Sequence, residues 1–269
     1  MQQKKLKAII KKKVGIITHL CRDVDTAFDK DTVHDFRTSV KSLRSFLRLQ
    51  QMHTGKHLKI PKKFKRLYHI AGVIREAQLE IEHFEGKKPD LPHYVEHLYL
   101  IIARQKKEWR NLYSKKVLRR FNKKISGYKY KSIHPGMLEK FFDDRVTVVN
   151  FITHKVSPTD EQVHTARKKI KDILYTSKIA EKKWNATHKE VELISVKKLD
   201  QLADMIGDYN DERITLEHLR AFSTRRLSKN EKSTLSALKT KETKKLSARK
   251  KSIMAVAKNF TGLAIHSKR

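Results

Sequence analysis

One piece of this sequence occurs twice. VHDFRTSVKSLRSFL, from Val33 to Leu47, and VHTARKKIKDILYTS, from Val163 to Ser177, share the placement of Val, His, Arg, an apolar residue, Lys and Leu at an offset of 130 residues. Each run is amphipathic with a helical period, and in the first Phe36, Val40, Leu43 and Leu47 recur at steps of four and three. An apolar stripe of that kind needs partner helices, so two copies half a chain apart point to two related helical units. A weaker match, AGVIREAQLEI around Arg75 against MIGDYNDERITL around Asp211, falls at a similar offset.

The intervening sequence is consistent with helices throughout. Five Pro and eight Gly in 269 residues leave few breaks and argue against a turn-rich sandwich or barrel. Periodic apolar positions predict helices over residues 6–20, 64–86, 91–121, 136–153, 191–206, 210–227 and 232–260, with another opened by Ser157, Pro158 and Thr159. The helix carrying the first repeat is predicted to be capped by Asp31 or Thr32 and to run to about Met52. Gly127 to Gly136, with Tyr128, Tyr130 and Pro135, is the predicted linker. The expected fold is all-α, two pseudo-symmetric four-helix bundles spanning residues 1–130 and 131–269.

Charge narrows the function. Lys and Arg number 62 against 29 Asp and Glu, a formal net charge of +33 at pH 7. That excess concentrates polyanions around the molecule and repels itself, so nucleic acid, an anionic membrane surface and inorganic polyphosphate all qualify as partners. The single cysteine, Cys21, can form neither an internal disulfide nor a thiolate metal cluster, which suits a reducing compartment. The basic N-terminus is followed by an apolar stretch interrupted at Thr18 and His19, so no signal peptide is expected. No window approaches 18 uninterrupted apolar residues, so no membrane span is expected either.

The excess charge is organised on the repeats. On a helical wheel His34, Arg37, Lys41, Arg44 and Arg48 fall within an arc of about 80°, beside the arc that holds Val33, Phe36, Val40, Leu43 and Leu47. The cationic ridge rises by about 21 Å from His34 to Arg48, long enough for several successive anionic groups. The second copy places His164, Arg167, Lys171 and Lys178 the same way, with Lys168 and Lys169 alongside and Leu174 where the first copy has Arg44. A solvated face is the plain alternative, but like charges at steps of three and four repel unless an outside anion completes them. Each histidine lies at the edge between the apolar and cationic arcs, where it can serve as a core-edge hydrogen bonder or donate to an anion. Glu76 beside Arg75, and Asp211 beside Asn210, are candidate anchors for nearby cations, with surface ion pairing the alternative.

Two further basic stretches stand apart from the ridges. Residues 104–124 hold ten Lys or Arg and one Glu, and residues 239–251 hold seven and one. Catalytic motifs are missing: there is no GxxxxGK[ST] and no HExxH. His53, His57, His69 and His83 share a region without a strong helical pattern, so no metal site is expected.

These residues resemble the signatures of the CHAD domain, the conserved histidine alpha-helical domain. VHDFRTSVKSLRSFLRL is similar to its first-half signature and VHTARKKIKDILYTSKIA to its second, with Tyr175 at a frequently aromatic position; IGDYND matches the downstream pattern. The chain departs from the pattern at Ser42 and Asp172, where another basic residue is frequent, and at Glu76, where Asp is usual. The resemblance implies a basic central surface that binds inorganic polyphosphate through His34, Arg37, Lys41, Arg44, Arg48, His164, Arg167, Lys168, Lys171 and Lys178, supported by Arg75, Glu76, Asn210 and Asp211. It implies no cofactor and no catalysis, and a cytoplasmic protein associated with polyphosphate granules; the ExExK motif of the hydrolase domain found beside some members is absent. Three rivals are kept. Nucleic-acid binding would be favoured by exposed Trp109, Tyr128 or Tyr130. A phosphohydrolase would use Glu76 or Asp211, and a structural protein would recruit partners through its basic tail. Oligomeric state is left open.

Overall fold

The periodic stretches become nine α-helices and one short 3₁₀ turn among the residues that the computed structural model describes, 2–187, 194–225 and 227–258, and no strand occurs among them. In chain order the helices are α1 (Gln3–Ala27), α2 (Lys30–Thr54), α3 (Lys62–His83), α4 (Pro92–Leu112), α5 (Lys115–Ser126), α6 (Pro135–Thr153), α7 (Asp160–Thr187), α8 (Ile194–Ala221) and α9 (Lys229–Lys258). The expected helix start at Val191 and end at Phe260 lie outside the described residues.

Local chemistry sets the boundaries. Only Phe28 and Asp29 connect α1 to α2. Phe28 takes φ 53°, a left-handed conformation unusual for a bulky residue, and is buried with its ring against Trp109 at 5.9 Å. Asp29 caps α2 in place of the expected Asp31 or Thr32: its carboxylate accepts from the backbone N–H groups of those two residues at 3.1 and 2.8 Å. Helix α7 opens with a capping box in which Thr159 and Gln162 satisfy each other's backbone N–H at 3.2 and 2.9 Å.

Two expected boundaries are corrected. The single helix over 91–121 is broken at Tyr113 and Ser114, where the Ser114 hydroxyl caps α5 by accepting from the Val117 N–H at 3.3 Å. In one straight helix Trp109 and Leu118 would face about 180° apart; the break lets both enter the core, where they are 0% and 3% exposed. Conversely, residues 194–206 and 210–221 of the two expected stretches belong to the single helix α8, which passes through Gly207 without a break and ends at Ala221, short of the expected Leu227. That glycine has a packing role described below.

Helix α2 lies at the centre, packed by α1, α3, α6 and α7. Helix α7 packs in turn on α6 and α8, and α5 lies against α1 and α3. One hydrophobic core runs from Leu6 of α1 to Ala257 of α9 and so spans both repeats. A second cluster, including Phe84, Tyr94, Leu98, Leu219 and Leu235, joins the ends of α3, α4, α8 and α9. Inside it the buried Glu80 is bound by the Tyr94 hydroxyl and by His218 Nδ1 at 2.8 Å, tying α3 to α4 and α8. The basic stretch of α9 is partly neutralised by neighbouring acids. Lys245 pairs with Glu212 at 2.7 Å, Arg249 with Asp208 and Glu212 at 3.0 and 2.9 Å, and Lys250 with Asp160 at 2.6 Å. No helix of the described residues is long and apolar enough to cross a membrane.

The Asp29 cap is directly testable. Asp29→Ala is expected to cost about 1 kcal/mol, lowering the thermal midpoint by about 2–4 °C in a domain of this size, as followed by circular dichroism.

Candidate functional site

The two histidine-led helices pack against each other, and their contact is polar. Ser45 of α2 donates to the Asp172 carbonyl of α7 at 3.0 Å and meets the Thr176 hydroxyl at 3.2 Å. Arg48 grips the buried Asp172 carboxylate with both arms of its guanidinium, the Nε bond being 2.7 Å long. Arg145 of α6 approaches the same carboxylate at 3.9 Å. The acid that departs from the basic pattern at position 172 is therefore the clasp between two cationic helices. At the equivalent departure, Ser42, a lysine arrives from another helix: Lys13 of α1 donates to the Ser42 hydroxyl at 2.8 Å.

Arg37 and Arg167 are seated in matching ways. The Arg37 guanidinium lies over Gly72 of α3 and donates to the Tyr68 carbonyl at 3.4 Å. That of Arg167 lies over Gly207 of α8 and donates to the Ala203 carbonyl at 3.2 Å. In each case the acceptor is four residues before the glycine. A Cβ on Gly72 would collide with the Arg37 guanidinium, and one on Gly207 would come within 2.9 Å of Arg167 Nη2. Both glycines are buried and have ordinary helical backbones, so they are needed for close approach rather than for a special φ. Tyr68 also forms a platform, its ring lying 5.2 Å from the Arg37 guanidinium and 5.4 Å from that of Arg44.

The ridges share one electrostatic space. Lys41 of α2 is pushed down to about 8, by burial first and then by Arg37 and Arg167, one from each repeat, while Asp211 and Glu76 act in the opposite direction. His164 is pulled down to about 4 by burial and then by Lys168, Arg167, Arg213 and Lys41, so its imidazole is neutral near pH 7. Its Nδ1 is buried without a hydrogen-bond partner. The exposed His34 contacts the Thr38 hydroxyl at 3.4 Å and is held below its ordinary value by desolvation, then by Arg75, Lys41 and Arg37.

The other site residues divide by their partners. Lys168 and Lys178 are exposed on α7, whereas Leu174, in the place of Arg44, is core at 2% exposure. Lys171 is held by Asp200 and Asp204 of α8, each at 3.0 Å. Burial opposes its charge, but the hydrogen bonds to both acids raise its pKa. Arg48 is engaged by Asp172, as described. Arg75 donates to the Lys30 carbonyl at 3.3 Å and braces the start of α2. Asn210 accepts from Arg213 at 3.4 Å. Glu76 and Asp211, on α3 and α8, both have raised pKa values, chiefly from burial. They line a cavity of about 220 Å³ together with Leu79, His83, Asp208 and Glu242. Arg37 and Arg167 both act on Lys41, and Lys168, Arg167 and Lys41 act on His164.

The aromatic candidates for base stacking are occupied. Trp109 is 0% exposed and donates to Asp25 at 3.1 Å, and Tyr130 is 1% exposed. The half-buried Tyr128 exchanges hydrogen bonds with the Lys59 backbone at 2.7 and 2.9 Å. Among the described residues no three His, Cys, Asp or Glu side chains are grouped to hold a metal ion. Residue spacing did not disclose Gly72, Gly207, Tyr68 or Lys13 as parts of the site. The available signal was a glycine at the matching place in each downstream helix.

Comparisons with known proteins bear on the family and the fold. The family model described as the CHAD domain matches residues 8–220. The crystal structure of the CHAD domain from the plant Ricinus communis is similar to this chain with a TM-score of 0.74 and 13% identity, over 96% of this chain and 90% of that one. At that identity the likeness concerns the fold. No curated protein is matched by sequence.

Two measurements check the site without a ligand. Between pH 6.5 and about 4 the unfolded chain protonates His164 while the folded chain does not, so this residue lowers stability as pH falls through that window. The thermal midpoint of His164→Gln is expected to fall less than that of the parent over the same range. Asp172→Ala, which strands Arg48 and Arg145, is expected to destabilise the fold by roughly 2 kcal/mol in chemical denaturation.

Proposed function

The chain belongs to the CHAD domain family, and from that premise we propose that its central basic groove binds inorganic polyphosphate without chemical turnover. The observation that carries this reading is the convergence of Arg37, Lys41 and Arg167 from two helices on one space, beside a neutral histidine with an unused ring nitrogen. Arg37 and Arg167 use part of their donor forks on backbone carbonyls and keep the rest for phosphoryl oxygens. Lys41 and Lys168 add point charges, and His34 and His164 become donors when phosphate draws protons onto them. Arg44 extends the track along α2. Arg48 and Lys171 belong to the same ridges but reach a ligand only by sharing it with Asp172 or with Asp200 and Asp204. Glu76 and Asp211 offset part of the positive charge around Lys41.

A flexible chain of phosphates suits this arrangement because it needs charge along a track and no platform for bases. Binding is then driven by release of condensed counterions and weakens steeply with salt. The same reading takes residues 1–130 and 131–269 as related halves of one domain, with the groove where their repeats meet. It places the protein in the cytoplasm at polyphosphate granules.

The test is binding of linear polyphosphate by the full chain and by the double variant Arg37→Gln, Arg167→Gln. Two charge-assisted contacts at about 1.5–3 kcal/mol each predict a loss of about a hundredfold or more, with the helical circular dichroism retained. Unchanged affinity in the folded variant would place the polymer elsewhere.

A further inference from the structure

A second cationic face lies away from the α2–α7 groove, on α1 and α5. These helices run antiparallel: Gln3 at the start of α1 donates to the Tyr130 carbonyl just beyond the end of α5 at 3.1 Å, and Thr18 donates to Asn122 at 2.8 Å. Their apolar sides, including Ile10, Ile17, Phe121 and Ile125, enter the core. Their outer sides are almost wholly basic. Lys4, Lys7 and Lys11 are exposed on α1, and Lys116, Arg119 and Lys123 on α5. No acid occurs on α5, and the first on α1 is Asp23. The α5 cations belong to the basic stretch that the proposed polyphosphate groove leaves unused.

We propose that this face binds the phosphate backbone of double-stranded nucleic acid, without reading its sequence. Packed helix axes are about 8–10 Å apart, so the cations of α1 and α5 form two neighbouring rows. Each row advances by about 10 Å from Lys4 to Lys11 or from Lys116 to Lys123. Two neighbouring rows of point charges can meet the two phosphate strands that flank a groove of the duplex. Lysine predominates in these rows, supplying point charges rather than the forked geometry of base readout. The large aromatic rings beneath the face, those of Trp109 and Phe121, are buried, which suits a duplex better than an unstacked single strand. An anionic membrane is disfavoured because the exposed apolar residue of α1, Ile16, lies about 140° around the helix from Lys11, leaving no apolar anchor among these rows.

The test measures binding of a short DNA duplex across a salt series, using the full chain and the variant Lys116→Gln, Arg119→Gln, Arg120→Gln, Lys123→Gln. All four substituted side chains are exposed, and circular dichroism checks that the helices persist. Removal of four phosphate contacts is expected to reduce the slope of log affinity against log salt by about 3–4 and to weaken low-salt binding at least tenfold. The Arg37→Gln, Arg167→Gln variant is expected to bind duplex as the parent does, which separates this face from the central groove. Three results would overturn the proposal: an unchanged slope in the α5 variant, an equal duplex defect in the groove variant, or an α5 defect seen with polyphosphate or phosphatidylserine vesicles but not with duplex.

Discussion

The contact between α2 and α7 joins two helices of the same sign, and the arrangement of the site follows from how that repulsion is handled. Ser45 bonds to the α7 backbone, Arg48 closes on a buried carboxylate, and Arg145 stands behind it. Removing one member of such a cluster is more costly than the net stability it supplies, because the charges left behind are partly desolvated. The clasp works at one end of the contact. Further along, Arg37, Lys41 and Arg167 are not paired with acids in the same way, and burial first, then the neighbouring cations, depress the pKa values of Lys41 and His164. The fold thus concentrates unfavourable charge at the place where a polyanion would be stabilising.

The glycine notches add positional control. An arginine on a solvated helix samples many rotamers, whereas Arg37 and Arg167 lie in grooves made by missing side chains and are tethered to carbonyls of α3 and α8. Holding the forks in place lowers the entropy lost when a ligand engages them. The notches also couple the repeat helices to their neighbours, so the residues that shape the site also pack α2 on α3 and α7 on α8.

Much of this was legible in the sequence, for identifiable reasons. The all-α architecture followed from periodicity and the scarcity of breakers, and the CHAD family from the two histidine-led runs. Helix ends were read less well where they depended on competition between neighbours: Asp29 displaced Asp31 and Thr32 as the cap, and Ser114 broke a helix so that Trp109 and Leu118 could both be buried. The gap expected over residues 207–209 does not occur, and Gly207 within it serves close packing of Arg167. The partners of Arg48 and Lys171 were hidden for the same reason. A helical wheel gives direction but cannot show that Asp172 of α7 meets Arg48, or that Asp200 and Asp204 of α8 meet Lys171.

The central claim is that a polyanion relieves charge repulsion stored between α2 and α7. Relief of that repulsion favours proton binding by groups whose protonation it helps burial to suppress, His164 foremost, since Lys41 at about 8 is already largely protonated at neutral pH. Calorimetric titration of polyphosphate into the protein at neutral pH, in two buffers of different ionisation enthalpy, measures the protons exchanged. The account requires net proton uptake, diminished in His164→Gln. Binding with no uptake, or with net release, would contradict it.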